Sequence, residues 1–252
     1  MILLLDIGNT RIKWGCVMAG EFQSGGVLTR GEGDVAGMVA AVQVRHCLPL
    51  RVVVSNVADD DYGEQLRAEV SARWGCQVEI VAPQVAAFGV VNGYDEPHRL
   101  GVDRWLALIA ARQLCDGALC IVDCGTALTV DLLTEEGAHL GGMIVPGVSL
   151  LQDALVKNAE GLHVIGGGWA GGEAYFMARN TADAMSAGAC YSSVALIDRV
   201  LADAQQSLGK GVLLVLTGGD AGMLRPYLRC KGLFEPDLVL KGIAMIAGAA
   251  NQ

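Results

Sequence analysis

Hydrophobic and polar positions along this chain come in short blocks, and the block lengths follow a regular order. Met1–Leu5 is a continuous apolar run, Asp6-Ile7-Gly8-Asn9-Thr10 interrupts it, and an apolar/polar alternation resumes over Arg11–Val17. This predicts a strand at Ile2–Leu5, a polar tip and a return strand, with a third strand around Gly26–Thr29. Residues 34–47 carry helical spacing, and Arg51–Asn56 is a β-branched run of buried-strand length. Asp59-Asp60-Asp61 supplies capping acids for a helix bearing Leu66, Val70 and Trp74 and stopped at Gly75. A strand at Val78–Val81 follows, then an amphipathic helix from Arg104 to Cys115 with Trp105, Leu108 and Ile109 on one face.

The pattern then restarts. Leu119–Asp123 reads as a strand, Gly125-Thr126 as a tip, Leu128–Leu133 as the return strand and His139–Val145 as a third strand. Helices are expected over 148–159 and 181–207, and a strand over Val212–Leu216 that runs into Thr217-Gly218-Gly219-Asp220. A short helix, a strand at Leu238–Leu240 and a Gly/Ala-rich helix close the chain, and Gly166–Gly172 reads as a loop. The tips share one order: strand, Asp, any residue, Gly, a small hydroxyl or amide, strand. Asp6 and Asp123 stand 117 positions apart, close to half of the 252 residues. One such tip is an ordinary hairpin turn. Two at matching places predict a duplicated α/β chain with halves at 1–115 and 116–252 facing each other.

Composition narrows the classes. Apolar residues make up 52% of the chain, enough for a sizeable core. No apolar stretch approaches the roughly 20 residues that span a bilayer. No basic leader precedes the opening apolar run, so a cytoplasmic protein is expected. A net charge of -9 argues against a nucleic-acid or anionic-membrane surface. The eight cysteines form no C-x-x-C pair, so neither a zinc site nor a disulfide framework is expected.

The tips suit a nucleotide phosphate. Glycine lets backbone approach a ligand closely, and successive N–H groups with a hydroxyl bind phosphate oxygens without net positive charge. Asp6 beside a phosphate makes sense only with a cation between them, so it is the candidate Mg²⁺-side carboxylate. Lys13 is either a phosphate contact or a solvated strand-end lysine. Thr126 is the candidate phosphate hydroxyl of the second tip, where Asp123 holds a cation or orients the tip. Thr217-Gly218-Gly219-Asp220-Ala221 fits an adenosine contact or a plain strand-to-helix turn equally. Leu100-Gly101-Val102-Asp103-Arg104-Trp105 opens a helix after Asn92-Gly93-Tyr94-Asp95-Glu96-Pro97. Asp103 is there either an N-cap or the base that accepts the proton of an attacking hydroxyl. Arg104 is either a surface charge or the contact to an anionic substrate.

Taken in order, these segments resemble the type III pantothenate kinases. The resemblance covers nearly the whole chain. It rests on D-x-G-N-T-x-x-K (Asp6–Lys13), N-G-Y-x-x-P (Asn92–Pro97), L-G-x-D-R-W (Leu100–Trp105), D-x-G-T-A-x-T-x-D (Asp123–Asp131), G-G-x-I-x-P-G (Gly141–Gly147), R-N-T (Arg179–Thr181) and T-G-G-D-A (Thr217–Ala221). It implies two duplicated ribonuclease-H-like halves of the actin-like ATPase type, with a nucleotide cleft between them. The activity it implies is ATP-dependent phosphorylation of pantothenate, the first step of coenzyme A synthesis. By the same resemblance Asp6, Ile7, Gly8, Asn9, Thr10, Arg11, Ile12, Lys13 and Thr126 line ATP, with Mg²⁺ on the Asp6 side. Asp103 is the implied base, and Tyr94, Gly101, Val102, Asp103, Arg104 and Thr181 line the pantothenate pocket. Asp123 is implied to hold K⁺ or NH₄⁺. The family is homodimeric, with the pantothenate site near the subunit interface. Met185, Ala189, Ser193 and Ile197 on the 181–207 helix suit either that interface or an internal face. Ala178 stands where a glycine is more familiar. A non-catalytic nucleotide-binding regulator of the same fold is the alternative; it has no need of the Asp103-Arg104 pair.

Overall fold

Short hairpins and helical crossovers set the strand order of both halves. The computed structural model describes residues 1–30, 35–42, 48–57, 60–159 and 177–248. The chain divides into two units, Met1–Leu114 with Asp237–Gln252, and Cys115–Pro236.

The first unit opens with β1 (Ile2–Ile7), β2 (Arg11–Met18) and β3 (Glu21–Thr29), followed by α1 (Val35–Ala41), β4 (Arg51–Asn56), α2 (Asp60–Trp74) and β5 (Gln77–Ile80). A two-stranded hairpin, β6 (Ala86–Ala87) with β7 (Val90–Val91), precedes α3 (Val102–Leu114). The sheet order is β3-β2-β1-β4-β5. β1–β2 and β2–β3 are antiparallel, as tight connections demand; β1–β4 and β4–β5 are parallel, joined by helical crossovers. Side chains alternate across the sheet. Leu3, Leu5, Ile7, Val52 and Val54 bury one face with Val39 of α1 and Leu66 and Val70 of α2. Leu4, Asp6 and Val53 belong to the other face.

The second unit repeats the order. β8 (Leu119–Cys124), β9 (Ala127–Leu133) and β10 (His139–Pro146) are followed by α4 (Val148–Asn158), α5 (Thr181–Leu208), β11 (Leu213–Thr217), α6 (Ala221–Leu224) and β12 (Leu233–Phe234). Its sheet runs β10-β9-β8-β11-β12, with the same parallel and antiparallel senses. Cys120, Val122, Leu214 and Leu216 pack under Ala189, Ile197 and Leu201 of α5. Met185, Ala189, Ser193 and Ile197 are all buried, so this stripe of α5 is an internal face. Buried Asp131 and His139 pair at 2.9 Å and tie β9 to β10, which gives the final motif aspartate a structural role. The chain then returns to the first unit as α7 (Leu238–Ile246), which packs on α3 and β1.

Several expectations change. Residues 116–252 do not all belong to the second half, because α7 groups with the first unit. Leu238–Leu240 is the start of that helix and not a strand; the strand lies earlier, at Leu233–Phe234. A three-residue apolar run fits either structure, and α7 is buried on most of its circumference. β3 begins at Glu21, α3 begins at Val102, and β6–β7 gave no pattern long enough to read. Of the expected 34–47 helix, Val35–Ala41 is helical while 43–47 lie outside the described residues, as do Asp59 and Gly166–Gly172. No helix among the described residues is long and apolar enough to cross a membrane.

α3 and α7 approach so closely that a Cβ on Gly242 would overlap the Leu106 carbonyl. Gly242→Ala is therefore expected to lower stability by about 1–3 kcal/mol, the usual cost of overpacking. Urea unfolding reads this, and an unchanged midpoint would contradict the helix contact.

Candidate active site

The β1–β2 register places Asp6 opposite Lys13, and the parallel β1–β4 register places it beside Ser55. One carboxylate is thus flanked by an ammonium and a hydroxyl because three strands end at the same level. The tip between β1 and β2 is closed by the Gly8 N–H, which donates to the Arg11 carbonyl at 3.0 Å. A Cβ on Gly8 would come within 2.9 Å of that oxygen, so the turn needs glycine. Asn9, Thr10 and Arg11 are exposed at the tip, while Ile7 and Ile12 are buried beneath it.

α3 brings Asp103 and Arg104 to the same unit. It starts at Val102, with the Trp105 N–H donating to the Gly101 carbonyl at 2.9 Å. Asp103 is therefore inside the first turn and not the N-cap; its Oδ1 accepts the Arg104 N–H at 2.8 Å. A Cβ on Gly101 would lie 2.6 Å from that oxygen, so Gly101 makes room for the carboxylate. Arg104 is not a surface charge: it is buried, its Nη1 donates to the Tyr94 hydroxyl at 2.5 Å, and its guanidinium lies 5.4 Å from the Tyr94 ring centre. Buried Asn92 fixes this loop, donating to the Gln84 and Pro97 carbonyls and accepting from the Tyr94 N–H.

Asp6 and Asp103 feel each other although 97 positions separate them (103 minus 6). Burial first, then the Asp103 charge, push the Asp6 pKa up to about 6; Lys13 and Ser55 pull it the other way. Ser55 Oγ is fully buried and makes no hydrogen bond of ordinary length and angle, so it acts on Asp6 as a nearby dipole. Ser55 Oγ and Trp105 Nε1 are the buried side-chain polar atoms without such a bond among the described residues. An anionic pair, an ammonium and a buried hydroxyl form a site that suits a cation with bound phosphates.

The second unit builds a matching tip. Asp123 lies between Thr129 of β9 and Thr217 of β11 in register. The Gly125 N–H donates to the Ala127 carbonyl at 3.1 Å, and the Gly147 N–H donates to the Thr126 carbonyl at 2.9 Å. Gly218, at φ +93°, leaves no room for a side chain beside Asp123 and Cys124. The Asp220 N–H donates to the Cys124 carbonyl at 2.9 Å, locking the T-G-G-D turn onto the tip strand. Thr181 is the exposed first residue of α5, whose N-cap Asn180 accepts the Asp183 N–H at 2.9 Å.

The fold thus joins Asp6, Lys13, Asp103, Arg104 and Tyr94 within the first unit. Thr126, Asp123 and Thr181 belong to the second. Ser55 was missed from sequence: at the end of a β-branched run it reads as a strand end, and only the parallel register puts it beside Asp6. Arg30 was also missed; its Nη1 donates to the Gly8 carbonyl at 3.3 Å.

A family model described as type III pantothenate kinase matches residues 2–203. A type III pantothenate kinase from Nitrosococcus oceani is 39% identical over 98% of this chain and 94% of its own length. One from Azoarcus sp. is 39% identical over 99% and 91%. Among solved structures, a candidate 2-dehydro-3-deoxygalactonokinase from Sinorhizobium meliloti aligns with a TM-score of 0.60 at 16% identity, covering 99% of this chain and 96% of that one. A candidate Baf-family transcriptional activator from Campylobacter jejuni aligns at 0.58 and 19%, covering 98% of each chain. Both structural likenesses speak to the fold alone.

The raised Asp6 pKa makes its ionisation a cost to the folded protein. The cost is absent below the unfolded value of 3.8, grows above it and is complete above about 6. Asp6→Asn is therefore expected to raise the melting temperature more at pH 7.5 than at pH 5. An equal shift at both would contradict the crowding of Asp6 by Asp103 and burial.

Proposed function

We propose a mechanism for this site from one premise: the chain belongs to the type III pantothenate kinase family. It is an ATP-dependent kinase that phosphorylates pantothenate on the route to coenzyme A. The observation that carries the mechanism is the convergence of Asp6, Lys13 and Asp103, which joins a phosphate tip to an acceptor-side carboxylate.

The residues fit Mg²⁺ arriving with ATP. Mg²⁺ commonly takes one or two carboxylates plus water and phosphate oxygens. Asp6 is such a carboxylate, crowded by a like charge, and the buried Ser55 hydroxyl stands beside it. When bound, Mg²⁺ neutralises phosphate charge as the phosphoryl group moves. The tip residues Asp6, Ile7, Gly8, Asn9, Thr10, Arg11, Ile12 and Lys13 take the ATP phosphates, and Thr126 makes a further ATP contact. The pantothenate hydroxyl attacks the γ-phosphorus, its proton passes to Asp103, and the bond to the β–γ bridging oxygen breaks to release ADP. Gly101 leaves space for that carboxylate, and the backbone bond from Arg104 aims it. Arg104 and Tyr94 form one wall of the acceptor pocket with Val102, the Arg104 charge suited to the pantothenate carboxylate; Thr181 is proposed as a substrate contact on the family resemblance. Asp123, with the Cys124 carbonyl and the threonines beside it, is an oxygen set suited to K⁺ or NH₄⁺.

The shared strand order of the two sheets supports a duplicated, ribonuclease-H-like origin of the actin-like ATPase kind. A homodimer is supported by the second unit: edge strand β10 exposes Leu140, Met143 and Ile144, and α4 exposes Leu150 and Leu155. Exposed apolar edges are what a second copy covers. Ile144→Lys is expected to shift the protein toward monomer in analytical ultracentrifugation. An unchanged mass would place the interface elsewhere. A cytoplasmic location accords with this metabolic role.

A coupled ADP-release assay tests the reaction. Pantothenate is expected to drive ADP release and a panel of sugars is not. Asp103→Asn is expected to lower kcat by at least about 100-fold, the usual lower bound for a lost base, while ATP still binds. Unchanged turnover would remove Asp103 as the base. Replacing K⁺ by Na⁺ is expected to remove most activity, and full activity in Na⁺ would remove the role given to Asp123.

A further inference from the structure

We propose that Arg30 is a positioning residue for the phosphate tip: it holds the Gly8–Asn9 peptide so that the Asn9 N–H is turned toward the nucleotide. This rests on the reading that Asp6–Lys13 bind the ATP phosphates.

Arg30 immediately follows β3 and touches the tip twice. Its backbone N–H donates to the Thr10 carbonyl at 2.9 Å, and its Nη1 donates to the Gly8 carbonyl at 3.3 Å. The guanidinium is in turn fixed on α2, where it lies 4.9 Å from the Tyr62 ring centre. A trans peptide is planar, with C=O and N–H pointing to opposite sides. Pinning the Gly8 oxygen on the Arg30 side therefore directs the Asn9 N–H away from Arg30. Free rotation of this peptide, which glycine would otherwise allow, is lost before the ligand arrives.

The second unit shows why a side chain is needed here. Gly147 immediately follows β10 and makes the same backbone bond, N–H to the Thr126 carbonyl, at 2.9 Å. That tip closes over two residue steps, Gly125 to Ala127, whereas the first closes over three, Gly8 to Arg11. The longer tip has an extra peptide to hold. Gly147 packs against Gly125 and Thr126 with no room for a side chain, while position 30 carries the longest fork available.

Calorimetric titration of Mg-ATP into the purified full chain tests this, alongside steady-state kinetics. Arg30→Ala is expected to weaken Mg-ATP binding about tenfold, with kcat at saturating ATP and the KM for pantothenate unchanged. Tyr62→Leu, which removes the ring under the guanidinium, is expected to weaken it about threefold; Tyr62→Phe keeps the ring and the affinity. Lys13→Ala serves as the control for the site itself. Parent-like affinity in Arg30→Ala with weakened Lys13→Ala overturns the proposal alone. Parent-like affinity in both overturns the placement of ATP on this tip. Should Arg30→Ala not fold, the Tyr62 pair decides: equal affinity in Leu and Phe variants overturns the brace.

Discussion

A carboxylate at the end of β1 with a second carboxylate close to it is the constraint around which the first unit is arranged. Asp6 is crowded by burial and by Asp103, and Lys13 and Ser55 offset that only in part. Leaving the pair charged costs free energy. The fold tolerates the cost because the sheet registers and the start of α3 are set by apolar packing elsewhere: Leu3, Leu5 and Ile7 on one face, and the buried body of α3 and α7 on the other.

Both units solve the same mechanical problem, holding a hairpin tip still at the end of an antiparallel pair. Each uses the residue just after its third strand, Arg30 or Gly147, to tie the tip carbonyl. Each sets a strand-end hydroxyl, Ser55 or Thr217, beside the tip aspartate through a parallel pairing. The repetition follows from shared strand order: once three strands meander and a fourth pairs parallel to the first, the ends of strands one, two and four lie together. The two tips differ in detail. The first tip is longer, has a lysine across the ladder and gains a guanidinium brace; the second has a threonine across the ladder and a glycine brace.

The acceptor side shows how a buried cation organises a loop. Arg104 sits in an otherwise apolar helix face and is satisfied in part by the Tyr94 hydroxyl and ring. Asn92 supplies the loop with hydrogen bonds that a purely apolar anchor would not direct. A neighbouring residue, Asp103, is therefore presented on a rigid turn. Position and rigidity, more than any unusual side chain, are what this arrangement supplies, and the proposed mechanism draws on both.

Much of the architecture is legible in local sequence. Repeated D-x-G tips, the β-branched run at Arg51–Asn56 and the glycine stops located most elements, and the ordered motifs named the family, because turn chemistry and apolar period are local properties. It did not determine that Leu238–Leu240 is helical, that the last helix rejoins the first unit, or that Arg104 is buried. Those depend on which surfaces are available to pack against. Nor did it pick out Ser55 and Arg30, since a serine ending a strand and an arginine after one carry no local signal. Their placement beside the first tip comes from strand register, which is decided by hydrogen-bond pairing between separate segments of the chain. Tertiary structure alone turned a list of polar residues into a carboxylate with defined neighbours and a tip with a defined orientation.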